Sequence, residues 1–194
     1  MPKLRLNNPE SCLQAEAGEL ILLRGDAGSG KSAWLKRMAG LMDLPEASMR
    51  MSKHAVVRMQ FDRWPCVWLG GNVEEELMFG LGALPSRAQL EETLSNWRLS
   101  DLSLTKEVRH LNRLQSLRLS LAAIDLAKPE LVLLDNPSAA LCEETALILA
   151  EDIAAWARQS NTIVVVASNR WQDWHTVVSQ TWRVRTADQL PTRL

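Results

Sequence analysis

The sequence predicts an α/β fold: a mostly parallel sheet flanked by helices and interrupted by a helical subdomain. Three observations carry this. Short apolar runs of strand length recur at 19–25 (ELILLRG), 131–135 (LVLLD) and 162–168 (TIVVVAS), and such continuous runs suit parallel strands buried on both faces. Segments with helical spacing lie between them, the alternation expected of a parallel sheet. Residues from about 73 to 126 are helix-rich and hold no convincing strand, so they read as an insertion into the sheet.

The run at 19–25 ends in Gly25, after which 32–42 (SAWLKRMAGLM) has helical spacing, with Trp34, Leu35, Met38, Leu41 and Met42 on one side. A second strand is expected at 55–60 (AVVRMQ). After the helical stretch and the strand at 131–135, a helix covers 143–159. The segment 181–186 (TWRVRT) reads as a last edge strand. No internal repeat or low-complexity tract appears. The 194 residues are read as a single domain with the subdomain at about 73–126.

The formal net charge of −1 gives no basic face, so no nucleic-acid partner is expected. The opening MPKLRLNNPE lacks the apolar core of a signal peptide, and no run approaches the ~20 apolar residues of a membrane span. Cys12, Cys66 and Cys142 are odd in number and far apart, which favours reduced structural thiols over a metal site. Eight tryptophans and no tyrosine are unusual. Some of Trp64, Trp68, Trp171, Trp174 and Trp182 are expected to face a partner.

Residues 25–32, GDAGSGKS, match G-x-x-x-x-G-K-[ST] without substitution, between a strand and a helix. In this P-loop pattern the backbone N–H groups of Gly25, Asp26, Ala27, Gly28, Ser29 and Gly30 converge on phosphate oxygens, and the following helix presents its positive end. Lys31 would reach the β- and γ-phosphates and Ser32 would ligate Mg²⁺. Asp135, closing LVLLD, is the natural second anchor for Mg²⁺, through water. A nucleoside triphosphate is the ligand this implies.

Over nearly its whole length the chain resembles the nucleotide-binding subunits of ABC transporters. Gln60 closes AVVRMQ at the Q-loop position of that family, where it would help hold Mg²⁺. VEEELMFGL (73–81) is similar to the start of the helical subdomain in energy-coupling-factor ATPases. The stretch 110–141, HLNRLQSLRLSLAAIDLAKPELVLLDNPSAAL, aligns without a gap to the family's signature-to-D-loop region, with Arg118, Ala122 and Pro129 in matching places. The resemblance implies a P-loop NTPase fold of ABC ATPase type, binding of ATP with Mg²⁺, and a composite dimer site in which each nucleotide lies between one chain's P-loop and the other's signature.

The departures concern hydrolysis. The signature L-S-G-G-Q becomes Leu111, Asn112, Arg113, Leu114 and Gln115, and the side chains of Arg113 and Leu114 should obstruct the backbone approach that glycines permit. Asn136 stands where the family has its catalytic glutamate, Cys142 at the D-loop aspartate and Asn169 at the switch histidine. No aromatic precedes the P-loop to stack the base. An amide is no general base, and losing positioned proton transfer costs about 10²–10⁴ in rate. The resemblance therefore implies an ATP-binding subunit that couples Mg·ATP binding, with slow or partner-assisted hydrolysis, to a membrane transporter or membrane-associated complex. The alternative is a non-catalytic ABC-like scaffold that binds nucleotide for assembly. A P-loop kinase of a small metabolite would explain the loop but not Gln60 or VEEELMFGL. The implied partners are a second copy or another ABC ATPase, and a membrane permease. The implied location is cytoplasmic, or peripheral at the inner face of the membrane.

Glu74, Glu75 and Glu76 read as a carboxylate-rich helix start rather than a metal site. His54, His110 and His175 are scattered without ligand spacing and are expected at the surface. The loop 61–71 (FDRWPCVWLGG) is either a partner surface or a segment packed under the helical subdomain. Arg113 is either an exposed helix-start residue or a finger reaching phosphate across a dimer interface.

Overall fold

The computed structural model describes residues 1–8, 12–45, 47–52, 54–63 and 65–194; Trp64 lies outside them. The described chain forms two compact units, one of Met1–Asp62 with Pro129–Leu194 and one of Arg63–Lys128.

The first unit holds two sheets. A small antiparallel sheet is ordered β2-β1-β4, from β1 (Lys3–Asn7), β2 (Cys12–Glu16) and β4 (Ser48–Arg50). The main sheet contains β3 (Leu20–Arg24), β5 (Val57–Gln60), β6 (Leu131–Asp135), β7 (Ile163–Ala167), β8 (Gln180–Arg183) and β9 (Thr192–Arg193), in the order β5-β6-β7-β3-β8-β9. All neighbours in it are parallel except β8 and β9. Every residue of β6 and β7 is buried, as continuous Leu and Val runs require when both faces are covered.

Alternate residues split the burial. Ile21, Leu23, Leu131, Leu133, Ile163 and Val165 join one apolar core with Leu4, Leu6, Leu13 and Ala15 of the small sheet and with Trp34, Leu35 and Met38 of α1 (Lys31–Met38). The two sheets thus share the core into which α1 packs, which anchors the helix following the phosphate loop. The intervening set, including Leu22, Val132, Leu134, Val164 and Val166, is also buried. The helix α5 (Glu143–Ser160) makes the crossover from β6 to β7, with a buried stripe at Ala146, Leu149, Ala150, Ile153, Ala154 and Ala157, the spacing of one helix face.

The second unit contains α2 (Val73–Met78), α3 (Arg87–Asn96) and α4 (Arg113–Leu126). It holds no strand among its described residues, only an isolated bridge between Asn72 and Glu107. The carboxylates opening α2 serve the preceding turn: Glu75 accepts from Gly71 N–H, and Glu76 accepts from Leu69 and Gly70 N–H.

Three sequence expectations change. The helix expected through Met42 ends at Met38, because Gly40 turns at φ +73°; Leu41 and Met42 lie beyond it, exposed. The strand at 181–186 is not the edge, since β9 pairs outside it. Trp174 and Trp182 are fully buried core residues rather than partner-facing ones.

Candidate functional site

The C-terminal ends of β3, β5, β6 and β7 face the same edge of the sheet, the end at which α/β folds place ligands. Beyond β3 the chain turns through 25–30, where Ser29 N–H donates to Asp26 O at 3.1 Å. Gly30, the N-cap of α1, has φ +98°, and a Cβ there would sit 2.6 Å from the Ala187 Cα. Dihedral and crowding both demand glycine. A Cβ on Gly25 would collide with the Val184 carbonyl. The helix has no side-chain cap and no acidic residue in its first turn, so its leading amides and positive dipole end are left to an anion.

Lys31 is buried, and its ammonium donates to Gly25 O at 2.8 Å and Asp26 O at 2.9 Å. Burial pushes its pKa down, with Asp26 and Asp135 acting against that shift. Buried Arg37 of α1 donates to Asp43 O (2.8 Å) and to the carbonyl of Ala187, the residue beside Gly30, and pairs with Asp188 at 3.2 Å.

At the end of β6, Asp135 accepts from the Ser32 hydroxyl at 2.8 Å. Burial pushes its carboxyl up; the Ser32 hydrogen bond lowers it, and the charge of Asp62 raises it further. Asn136 follows at φ +50°, left-handed backbone that Asn tolerates better than most residues, and its N–H donates to Ala167 O at 2.7 Å. Its side chain bridges two loops. Asn136 Nδ2 donates to Asp62 Oδ2 at 3.0 Å, and Asn136 Oδ1 accepts from Asn169 N–H at 3.5 Å.

A cavity of about 270 Å³ brings Lys31, Ser32, Asp135, Asn136 and Asn169 together with Ala27, Gly28 and Gly30, and adds Asp62, which sequence reasoning missed. The available signal was a carboxylate two positions after Gln60. Gln60 does not line this cavity. It ends β5 beside Leu134, and its Oε1 is buried with no hydrogen-bond partner among the described residues. The donor set fits the expected ligands. Uncapped amides and a lysine suit phosphate, while the Ser32 hydroxyl and the Asp135 carboxylate are hard oxygen donors of the kind Mg²⁺ takes.

A cavity of about 730 Å³ is lined by Gly25, Asp26, Ala27, Arg24, Trp171, Arg183 and Arg185. The Arg24 guanidinium lies 4.1 Å from the Trp171 ring centre, a cation–π contact. Trp171, one of the tryptophans expected to face a partner, thus flanks the phosphate loop.

In the second unit, Asn112 to Gln115 open α4. The Asn112 side chain accepts from Gln115 N–H at 2.9 Å, and Gln115 Oε1 accepts from Asn112 N–H at 3.1 Å. This reciprocal capping box uses up amides that an anion would need. Arg113 is exposed in the first turn. Cys142 is exposed at the N-cap of α5. His54, His110 and His175 are exposed.

Comparison with known proteins agrees with this architecture. The chain is 30% identical over 159 residues to the aliphatic sulfonates import ATP-binding protein SsuB 1 of Streptomyces avermitilis, a match covering 79% of this chain and 58% of that protein. It is 26% identical over 182 residues to the energy-coupling factor transporter ATP-binding protein EcfA1 of Latilactobacillus sakei, covering 84% and 63%. The matches thus span about three fifths of these relatives' lengths. The structure of cbiO1 from Clostridium perfringens, part of the ABC transporter complex cbiONQ, superposes with a TM-score of 0.81 at 14% identity over 97% of this chain and 87% of that one, which speaks for the fold. The sequence model described as ABC transporter matches residues 10–139. With two thirds of its length matched in this way, the chain belongs to the ABC transporter family.

Proposed function

We propose that this chain is an ATP-binding subunit of ABC type that couples Mg·ATP binding to a membrane transporter or membrane-associated complex. The observation that carries this is the uncapped start of α1 behind a glycine-built loop, with Lys31, Ser32 and Asp135 converging on one cavity. In this reading the amides of 25–32 and Lys31 hold the β- and γ-phosphates, and Ser32, Gln60 and Asp135 hold Mg²⁺, partly through water. Mg²⁺ would neutralise charge on the phosphates. Asn136 leaves position 136 without a base, so turnover is slow or partner-assisted, and Asn169 takes the switch position. The family supports a dimer, with itself or with another ABC ATPase, and a permease partner. The described helices are all too short or too polar to cross a membrane. The exposed Val67 and Leu69 beside half-buried Trp68 offer apolar surface for such a partner.

The test is a titration of the purified chain with Mg·ATP, Mg·GTP and ADP, read as a rise in thermal midpoint. Stabilisation by Mg·ATP that disappears in Lys31→Ala supports the reading; no stabilisation by any nucleotide overturns it.

A further inference from the structure

The catalytic position of the family holds an amide here, yet the cavity does not lack a second carboxylate. Asp62 enters it from the segment after β5, opposite the end of β6. Its Oδ2 is held at 3.0 Å by Asn136 Nδ2, and Asn136 Oδ1 is turned toward the Asn169 amide at 3.5 Å. Donor and acceptor are matched: an amide can donate to Asp62, whereas a glutamate at 136 would set two carboxylates against each other. The left-handed backbone at 136 also favours asparagine over glutamate. Amide at 136 and carboxylate at 62 form one complementary pair.

We propose that Asp62, held by Asn136, supplies the carboxylate that receives the proton of the water attacking the terminal phosphate of a bound nucleoside triphosphate. This rests on the nucleotide-site reading above. In the step, the water oxygen bonds to the terminal phosphorus. The bridging P–O bond breaks, and its electron pair leaves on the nucleoside diphosphate. The proton passes to Asp62 and from there to solvent. Asp62 is exposed on a loop, so a proton it receives passes to solvent without a buried relay. Asn136 is then a positioning residue, restraining one oxygen of the carboxylate.

The experiment compares wild type, Asp62→Asn, Asp62→Glu and the exchanged pair Asp62→Asn with Asn136→Asp, each in the complex in which the chain is isolated. Three quantities are read: Mg·ATP affinity, steady-state kcat and KM, and the NMR shift of the Asn136 side-chain amide without nucleotide. Asp62→Asn should keep affinity within about threefold, lower kcat by about 10²-fold or more and move the Asn136 amide resonance. Asp62→Glu should retain part of kcat, and the exchanged pair should exceed Asp62→Asn alone. Unchanged kcat in Asp62→Asn overturns the proposal and leaves the nucleotide reading standing, as does wild-type binding without turnover. Failure of the wild type to bind nucleotide overturns both.

Discussion

The helices α1 and α4 each begin after a loop and each lack an acidic residue in the first turn, yet their leading amides meet different fates. The amides of α1 start at Gly30 with no side-chain acceptor among them. Those of α4 are closed by Asn112 and Gln115, whose side chains answer each other's backbone. A capping box satisfies two amides internally, here those of Asn112 and Gln115, and so reduces what a helix start offers an anion. The difference is that α1 keeps its leading amides free of side-chain acceptors while α4 is capped by its own side chains. Glycines make the first arrangement possible; Asn and Gln make the second self-sufficient.

The largest effect should come from Gly30→Ala, which forces a side chain into φ +98° and toward the Ala187 backbone. A loss of about 3 kcal/mol is expected from strain and overpacking combined, read as a lower midpoint in denaturant. A neutral outcome would mean the loop can relax, breaking the idea of a rigid open cradle.

Next comes Lys31→Met, which keeps the apolar stem. Losing charge-assisted hydrogen bonds to phosphate should cost about 1.5–3 kcal/mol of binding, or about 10- to 100-fold in Kd for Mg·ATP. Because burial depresses the Lys31 pKa, its stability contribution is present above the ordinary lysine pKa and lost as pH falls through the folded value. The charged form is thus a burden at neutral pH. Without nucleotide, Lys31→Met should melt no lower than wild type, a gain of stability at the expense of binding.

At α4, Asn112→Ala should cost about 1 kcal/mol, the usual worth of a side-chain cap, and leave nucleotide affinity of the isolated chain unchanged. A drop in affinity would show that the second helix start takes part in binding after all.

The smallest effect concerns Asp135→Asn, which preserves an acceptor for Ser32. The Asp135 carboxyl is raised by burial, so the stability it contributes is full below the unfolded carboxyl pKa and lost as pH rises through the folded one. Asp135→Asn should therefore be slightly more stable than wild type at neutral pH, converging with it in acid. Thermal melts across pH 3–8 check the sign.

Much of this site was legible in the sequence. The GDAGSGKS pattern placed Lys31 and Ser32, and the run LVLLD placed Asp135 at its strand end, because buried parallel strands and phosphate loops leave unmistakable local patterns. The small sheet escaped notice because KLRLN and CLQAE are short alternating segments with no long apolar run. β9, two residues long, carries no periodicity at all. Asp62 was invisible for a different reason. Its importance lies in a hydrogen bond across 74 positions of chain, which no spacing rule encodes. The capping box, by contrast, is legible as Asn-x-x-Gln before an apolar helix.

The most direct test of the difference between the two helix starts is amide NMR of the 194-residue chain titrated with Mg·ATP, beside Lys31→Met as the weakened-binding control. The expected result is that Gly28, Gly30, Lys31 and Ser32 amides shift at saturation while those of Arg113, Leu114 and Gln115 stay in place. Shifts of comparable size at α4, or none at the phosphate loop, would contradict the division of one chain into an open and a closed helix start.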